Sequence, residues 1–386
     1  MSRAKWLISV LLLMLVVGVG LLATAWFGSL ALATAPPTAT ATAIPAHAEA
    51  ITRARSLLLP LLQEYPALSV SVAVEGAVVW SEALGWADVA QRRPASADSR
   101  FRLYSNSKPF TAVLALRLAA RGLLDLDRPI GHVLPALPAP SQQITLRQLL
   151  GHLGGVRDYR KGEWMALAET HCIRPGQALD RFVGDRLLAA PGTHFQYASF
   201  GYVLASAVIE AATGQDFHTL LKTEVLDRAG MAHSGPETAS DPLLVRPYQN
   251  ALLGRVRPAP RVDNSCKFGA GALTGTSRDL VAFGLAVLDD RLLDAGQRAA
   301  MFSASAASAA AQQPYGLGIG LAEDDVLGLV AAHSGGAVGG RSYLLLAPDR
   351  GLVVALLGNL EGRSLGAAAW AVAQAFATAS AAPAHR

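Results

Sequence analysis

The chain has 386 residues, 52% of them hydrophobic and 16% charged, with a formal net charge of +4 at neutral pH. This excludes a disordered chain, which would be poor in apolar residues, and leaves enough length for one large domain or two interleaved ones. No block of Lys and Arg stands behind the small positive charge, so a nucleic-acid footprint is absent.

Arg3 and Lys5 precede an uncharged, strongly apolar run at residues 6–27. That run exceeds the usual secretory core and is long enough to span a bilayer. Trp6, Trp26 and Phe27 fall where interfacial aromatics sit. The positive flank places the N-terminus in the cytoplasm and the rest of the chain outside, periplasmic in a bacterium. Ala33, Thr34 and Ala35 form a rival cleavage signal that would release a secreted protein; the run length favours the anchor. Residues 1–34 are therefore expected to be a signal anchor or signal peptide. Residues 35–48, rich in Ala, Thr and Pro, are expected to form a flexible linker.

A catalytic domain is expected over residues 49–380. Residues 49–65 have helical periodicity. Residues 68–75 and 77–88 have the composition of strands around a turn at Glu75 and Gly76. Residues 101–126 contain a helix with an apolar-periodic run, and residues 144–150 begin another. Residues 160–190 are less regular. A helix is expected at 201–212 and another at 279–288. Residues 315–323, 326–333, 341–347 and 352–357 read as consecutive strands, and 364–379 as a final helix. Strands at both ends with helices between imply an α+β fold. One antiparallel sheet is built from about 49–100 and 310–380, with a helical insertion from about 109–300. Cys172 and Cys266 could pair in an oxidising compartment, but no Cys/His cluster has metal-ligand spacing.

The chemistry starts at residues 101–111, FRLYSNSKPFT. Ser105 and Lys108 are three apart, so a helix puts them on one face. A serine at a first turn lies near unpaired N–H groups and the positive end of the helix dipole. Burial lowers a lysine's pKa, so Lys108 can be neutral and accept the serine proton. Pro109 suits a first turn because its missing N–H has no helical partner there. The same spacing occurs at Ser2 and Lys5, so it does not suffice alone.

Two further stretches carry polar groups after turns. Tyr197 follows a Pro-Gly turn and precedes a long helix. With its phenol pKa lowered by nearby cations, it would relay a proton to the leaving group. Tyr104 and Tyr248 also precede Asn by two residues, but only Tyr197 has that flanking pattern. His333, Ser334, Gly335 and Gly336 follow an apolar strand, and glycines there let a backbone approach a substrate. An N–H in this stretch and the N–H of Ser105 would form an oxyanion hole. His233, Ser234 and Gly235 repeat the tripeptide after a helix end and are set aside.

Taken in order, SNSK, GHLGGVRDY, PGTHFQYASFGY, VDNSCKFGAGALTGTSRDLVAFG and HSGGAVGG resemble the serine β-lactamase and penicillin-binding-protein superfamily, on its class C β-lactamase-related branch. The resemblance covers residues 50–375. It implies a β-lactamase/DD-peptidase-like fold, Ser105 as acylated nucleophile, Lys108 as base and Tyr197 as proton shuttle. It also implies the N–H groups of Ser105 and Gly336 as the oxyanion hole, and Ser199, His333, Ser334 and Gly335 as substrate-binding residues. No cofactor is implied; the partners are a small-molecule or peptide substrate and the membrane, and a homo-oligomer is allowed. Two positions depart from the family pattern. Ser199 stands where an amide both donates and accepts. His333 replaces a lysine and is mostly neutral at pH 7 if unperturbed. Both weaken recognition of a β-lactam, so a peptidase or esterase with weak or no β-lactamase activity is expected. If His333 meets an anionic group, activity on carboxylate substrates falls as pH rises past its pKa.

Other readings carry less. A Gly-x-Ser-x-Gly sequence at 362–366 has no downstream Asp or Glu, and only His385 follows it. The non-enzyme alternative is a membrane-tethered scaffold or self-assembling protein that keeps the fold; loss of Ser105 or Lys108 would favour it, and both are present.

Overall fold

The computed structural model describes residues 14, 17, 29–32, 37–160, 162–163, 170–238 and 240–380. Among them no helix is long and apolar enough to cross a membrane. The apolar run at 6–27 lies outside them except for residues 14 and 17.

Apolar strands from the two ends of the chain meet edge to edge. The main sheet contains β1 (Thr38–Ala43), β2 (Ala67–Val74), β3 (Ala77–Asp88), β4 (Gly320–Asp324), β5 (Gly328–Ala337), β6 (Gly340–Ala347) and β7 (Leu352–Gly358). Their order is β1-β3-β2-β7-β6-β5-β4, antiparallel throughout, with Arg93–Pro94 added beside β3. The central joint pairs β2 with β7, Val72 opposite Val354, so neither end of the chain completes the sheet alone.

The expected linker contributes β1. Its alternating Thr and Ala leave most side chains in solvent, but its backbone pairs with β3 from Thr38 opposite Leu84 to Ala43 opposite Trp80. Threonine is β-branched and suits a pleated strand, and a free sheet edge offers it unpaired N–H and C=O groups.

The central strand β7 is apolar on both faces because both are covered. Val353, Ala355 and Leu357 of β7 face one core; Leu352, Val354 and Leu356 face the other. On the first side lies α4 (Ser277–Leu288), packed on β7 and β2. It begins at Thr276, whose hydroxyl accepts the Asp279 N–H at 3.1 Å, an N-cap. On the second side α5 (Gly366–Ser380) packs on β7 and β6, and α1 (Ala48–Leu58) packs on α5. Leu58 and Phe376 are among the side chains they bury. Each fully buried side chain of that size contributes roughly 1.5–3 kcal/mol.

Beyond α4 lies the helical part, centred on α2 (Ser107–Ala120) and α3 (Ser199–Thr213). Most residues of α2 are buried, so it is an interior helix. Helix α3 ends at Gly214 in the left-handed region. Cys172 and Cys266 are disulfide-bonded, a pairing that spacing alone left open. The bond ties the stretch before Pro175 to the turn Ser265–Ala270.

Candidate active site

Ser105 lies in the single turn Tyr104–Asn106 that leads into α2. Tyr104 occupies the left-handed region at φ 47°, a conformation costing on the order of 1–3 kcal/mol for a non-glycine residue. Its surroundings hold it there. The Tyr104 hydroxyl donates to the Val338 carbonyl. Asn106 Nδ2 donates to Ser342 Oγ at 2.7 Å, and Ser342 Oγ donates to the Leu103 carbonyl at 2.6 Å. The Ser105 turn is thereby fastened to β6, while α2 runs away from it into the core.

Lys108, one turn on, is fully buried. Its Nζ donates to Ser105 Oγ at 3.0 Å, to the Ala270 carbonyl at 3.0 Å and to Ser199 Oγ at 3.5 Å. Burial lowers its pKa to about 7, against the opposing pull of Asp158. The free base is therefore abundant at neutral pH.

Tyr197 stands over the same nitrogen, with Lys108 Nζ 4.8 Å from its ring centroid, and its phenol is hydrogen-bonded to Ser105. The expected lowering of its pKa is reversed. Burial pushes the phenol up, and the bond to Ser105 offsets this only in part. Tyr197 is thus a protonated phenol at working pH. Ser199, at the start of α3, directs its hydroxyl to Lys108 and donates its N–H to Asp158 Oδ1 at 3.0 Å. Ser105, Tyr197, Ser199, Asp158 and Gly336 line one cleft of about 370 Å³.

The four residues 333–336 do not act as one surface. They lie inside β5, where alternate side chains face opposite sides. Gly336 is exposed and lines the Ser105 cleft. Gly335 is buried: a Cβ there would lie 2.1 Å from the Leu103 carbonyl oxygen and 2.3 Å from Ser342 Oγ. It is a spacer that lets β5 touch the Ser105 turn, and it lines neither this cleft nor the cavity beside it. Ser334 and His333 line a neighbouring cavity of about 540 Å³ on the other side of Tyr197.

The expectation for His333 as an anion contact that titrates near neutrality is also corrected. Burial and the nearby Lys108 depress its pKa to about 3. Nδ1 lies 2.7 Å from the Ser334 carbonyl and Nε2 lies 3.0 Å from the Tyr315 hydroxyl. A carbonyl can only accept, so Nδ1 carries the proton and Nε2 accepts from Tyr315. Both nitrogens are occupied within the protein.

Three residues of this region had no role in the sequence reading. His152, in GHLGG, holds the Tyr197 segment. Its carbonyl accepts the Gln196 N–H at 2.9 Å, its Nδ1 accepts the Ala198 N–H at 3.2 Å, and its ring lies 4.2 Å from that of Tyr197. Tyr315 supports His333. Lys267 enters the Ser105 cleft from the turn Ser265–Ala270. The two glycines after His152 and the polar run around Lys267 mark structured loops, but only proximity in the fold reveals their roles. The set-aside His233, Ser234 and Gly235 serve α4, with Ser234 Oγ donating to Asp279 Oδ2 at 2.8 Å.

Comparison with known proteins agrees with this geometry. The family model described as Beta-lactamase matches residues 55–378. The chain is 26% identical to the mitochondrial serine beta-lactamase-like protein LACTB of Homo sapiens, over 85% of this chain and 80% of that protein. It is 26% identical to penicillin-binding protein 4* of Bacillus subtilis, over 76% of this chain and 68% of that protein. Among solved structures, EstCE1, a hydrolase with promiscuous acyltransferase activity, superposes with a TM-score of 0.75 at 21% identity, covering 86% of this chain and 99% of the other. Proteins named as peptidases, amidases and esterases are among the other matches.

Proposed function

This chain belongs to the beta-lactamase family and is a serine hydrolase of it, and on that premise we propose that it works through an acyl-enzyme on Ser105, attacking an ester or a peptide-like amide. The observation that carries this is the fully buried Lys108 nitrogen 3.0 Å from Ser105 Oγ.

Neutral Lys108 takes the Ser105 proton as Oγ attacks the carbonyl carbon. The tetrahedral oxyanion is held by the N–H groups of Ser105 and Gly336. Collapse breaks the bond to the leaving group. Tyr197, protonated, hands that group its proton and is reprotonated from the Lys108 ammonium. Water then enters, the same groups run in reverse, and the acid is released with Ser105 restored.

β-Lactams are expected to be poor substrates. Ser199 offers one hydroxyl where an amide would make two contacts, and the neutral His333 offers no charge to a carboxylate on its side of Tyr197. Intact-mass detection of an adduct tests the reading across esters, D-amino-acid peptides and β-lactams, alongside a fluorophosphonate probe. An adduct on wild type and none on Ser105→Ala is expected. Absence of labelling in both would instead favour a scaffold that keeps the fold.

A further inference from the structure

The Ser105 cleft holds a second lysine that the mechanism does not use. Lys267 sits at the turn Ser265–Ala270, and its side chain lines the cleft with Ser105, Tyr104, Gly336 and Val338. The turn is firmly placed. Cys266 is bonded to Cys172, Cys172 N–H donates to Ser265 Oγ at 2.9 Å, Thr111 Oγ1 donates to the Gly269 carbonyl at 3.1 Å, and the Ala270 carbonyl accepts from Lys108. The Lys267 ammonium lies 5.2 Å from the centroid of the Tyr104 ring and donates to Asn264 Oδ1 at 2.7 Å.

Its charge has no direct counter-ion. Glu237 is the nearest acid in this network, but Arg102 takes it through two nitrogens at 2.7 and 2.9 Å, and Asn264 Nδ2 takes Glu237 Oε2 at 2.7 Å. Among the described residues Lys267 forms no ion pair. An ammonium has three donors, and Asn264 satisfies one. Burial and Arg102 lower the pKa of Lys267 to about 8, so the charged form prevails at pH 7. A largely buried cation facing a substrate cleft, with spare donors and a neutral aromatic and amide seat, is a receptor for an anion.

We propose that Lys267 is the anion-recognising residue of this cleft, and that the preferred substrates carry a carboxylate within the acyl group, on the carbonyl side of the scissile ester or amide. This rests on the serine-hydrolase reading above. Asp158 and Glu361 also line the cleft, so the competing outcome is recognition of a cationic substrate through them.

The test compares three p-nitrophenyl esters of matched length on the full chain: the glutarate monoester, the neutral pentanoate and the 4-aminobutanoate. Wild type should favour the glutarate ester in kcat/KM. Lys267→Met should cut the glutarate-to-pentanoate ratio by roughly tenfold or more, the worth of one charge-assisted hydrogen bond, and Lys267→Arg should restore part of it. An equal loss on both esters, or a wild-type preference for the aminobutanoate, would overturn the proposal. Calorimetry on Ser105→Ala reads the anchor without chemistry and without a Lys267 variant: glutarate should bind more tightly than pentanamide, and equal binding would refute the anchor. Failure of the acyl-enzyme reading shows differently, as no ester adduct on wild type while the calorimetric preference still decides the role of Lys267.

Discussion

Tyr197 is the wall between two cavities. On one side lie Ser105 and Gly336, with Lys267 and Asp158 around them; on the other lie His333, Ser334, Tyr315 and Trp370. Both are edged by β5, with His333 and Ser334 along the second and Gly336, further along the strand, at the first. In the first, Lys267 keeps a charge that no acid directly answers. In the second, the ring groups find partners within the protein: Tyr315 donates to His333, His333 to the Ser334 carbonyl, and Trp370 Nε1 to the Tyr343 hydroxyl at 2.9 Å. A side with unmet donors is built to receive a ligand. A side whose donors are spent internally stabilises the wall.

Removing the chemistry from the first side should have the largest effect. Ser105→Ala should abolish the covalent adduct and lower kcat by roughly a thousandfold or more, measured by intact mass and ester turnover. Lys108→Ala should approach the same loss. With Lys108 intact, kcat/KM on a neutral ester should track its free base. The amine loses its proton as pH rises, so activity should climb below about 7 and level off above it, and a rate that falls across that interval would contradict Lys108 as base.

The wall comes next. Tyr197→Phe removes the proton donor without emptying the ring's volume, and should cost roughly a hundredfold in kcat with the fold intact by circular dichroism.

The second side should respond in stability. Gly335→Ala places a methyl group against the Leu103 carbonyl and should destabilise by about 1–3 kcal/mol, read from the urea midpoint. His333→Leu leaves the buried Tyr315 hydroxyl without its acceptor and should cost about 1–3 kcal/mol. Since the His333 pKa sits at about 3, the imidazole should add no inflection to the rate profile between about 5.5 and 8. An inflection there that His333→Leu removes would reopen its role as an anion contact.

Much of the site's skeleton is legible in the chain. Ser105, in the turn before α2, and Lys108, in the first turn of α2, are three residues apart, so local geometry alone places them together. The strands of the sheet show as apolar runs, and Tyr197 is picked out by its turn and helix. The states of the groups are not legible. The Tyr197 and His333 pKa values depend on burial by segments far away in sequence: the expected lowering at Tyr197 is reversed, and His333, neutral at pH 7 as expected, is pushed well below the ordinary imidazole range. The strand β1 was hidden because its Thr and Ala are composed like a linker; only the open edge of β3 makes them a strand. Lys267 looks like any loop lysine until the disulfide and Arg102 place it in the cleft beside an acid already engaged.

The order of residues by itself determined which side chains could react and that strands from both termini must share a sheet, because spacing along a helix and apolar runs along a strand are properties of the local chain. Solvent exclusion and through-space partners decided the rest: which lysine gives up its proton, which keeps it, and which face of β5 meets a substrate. Desolvation and hydrogen-bond competition are set by what packs nearby, and that is fixed only when distant segments close over one another.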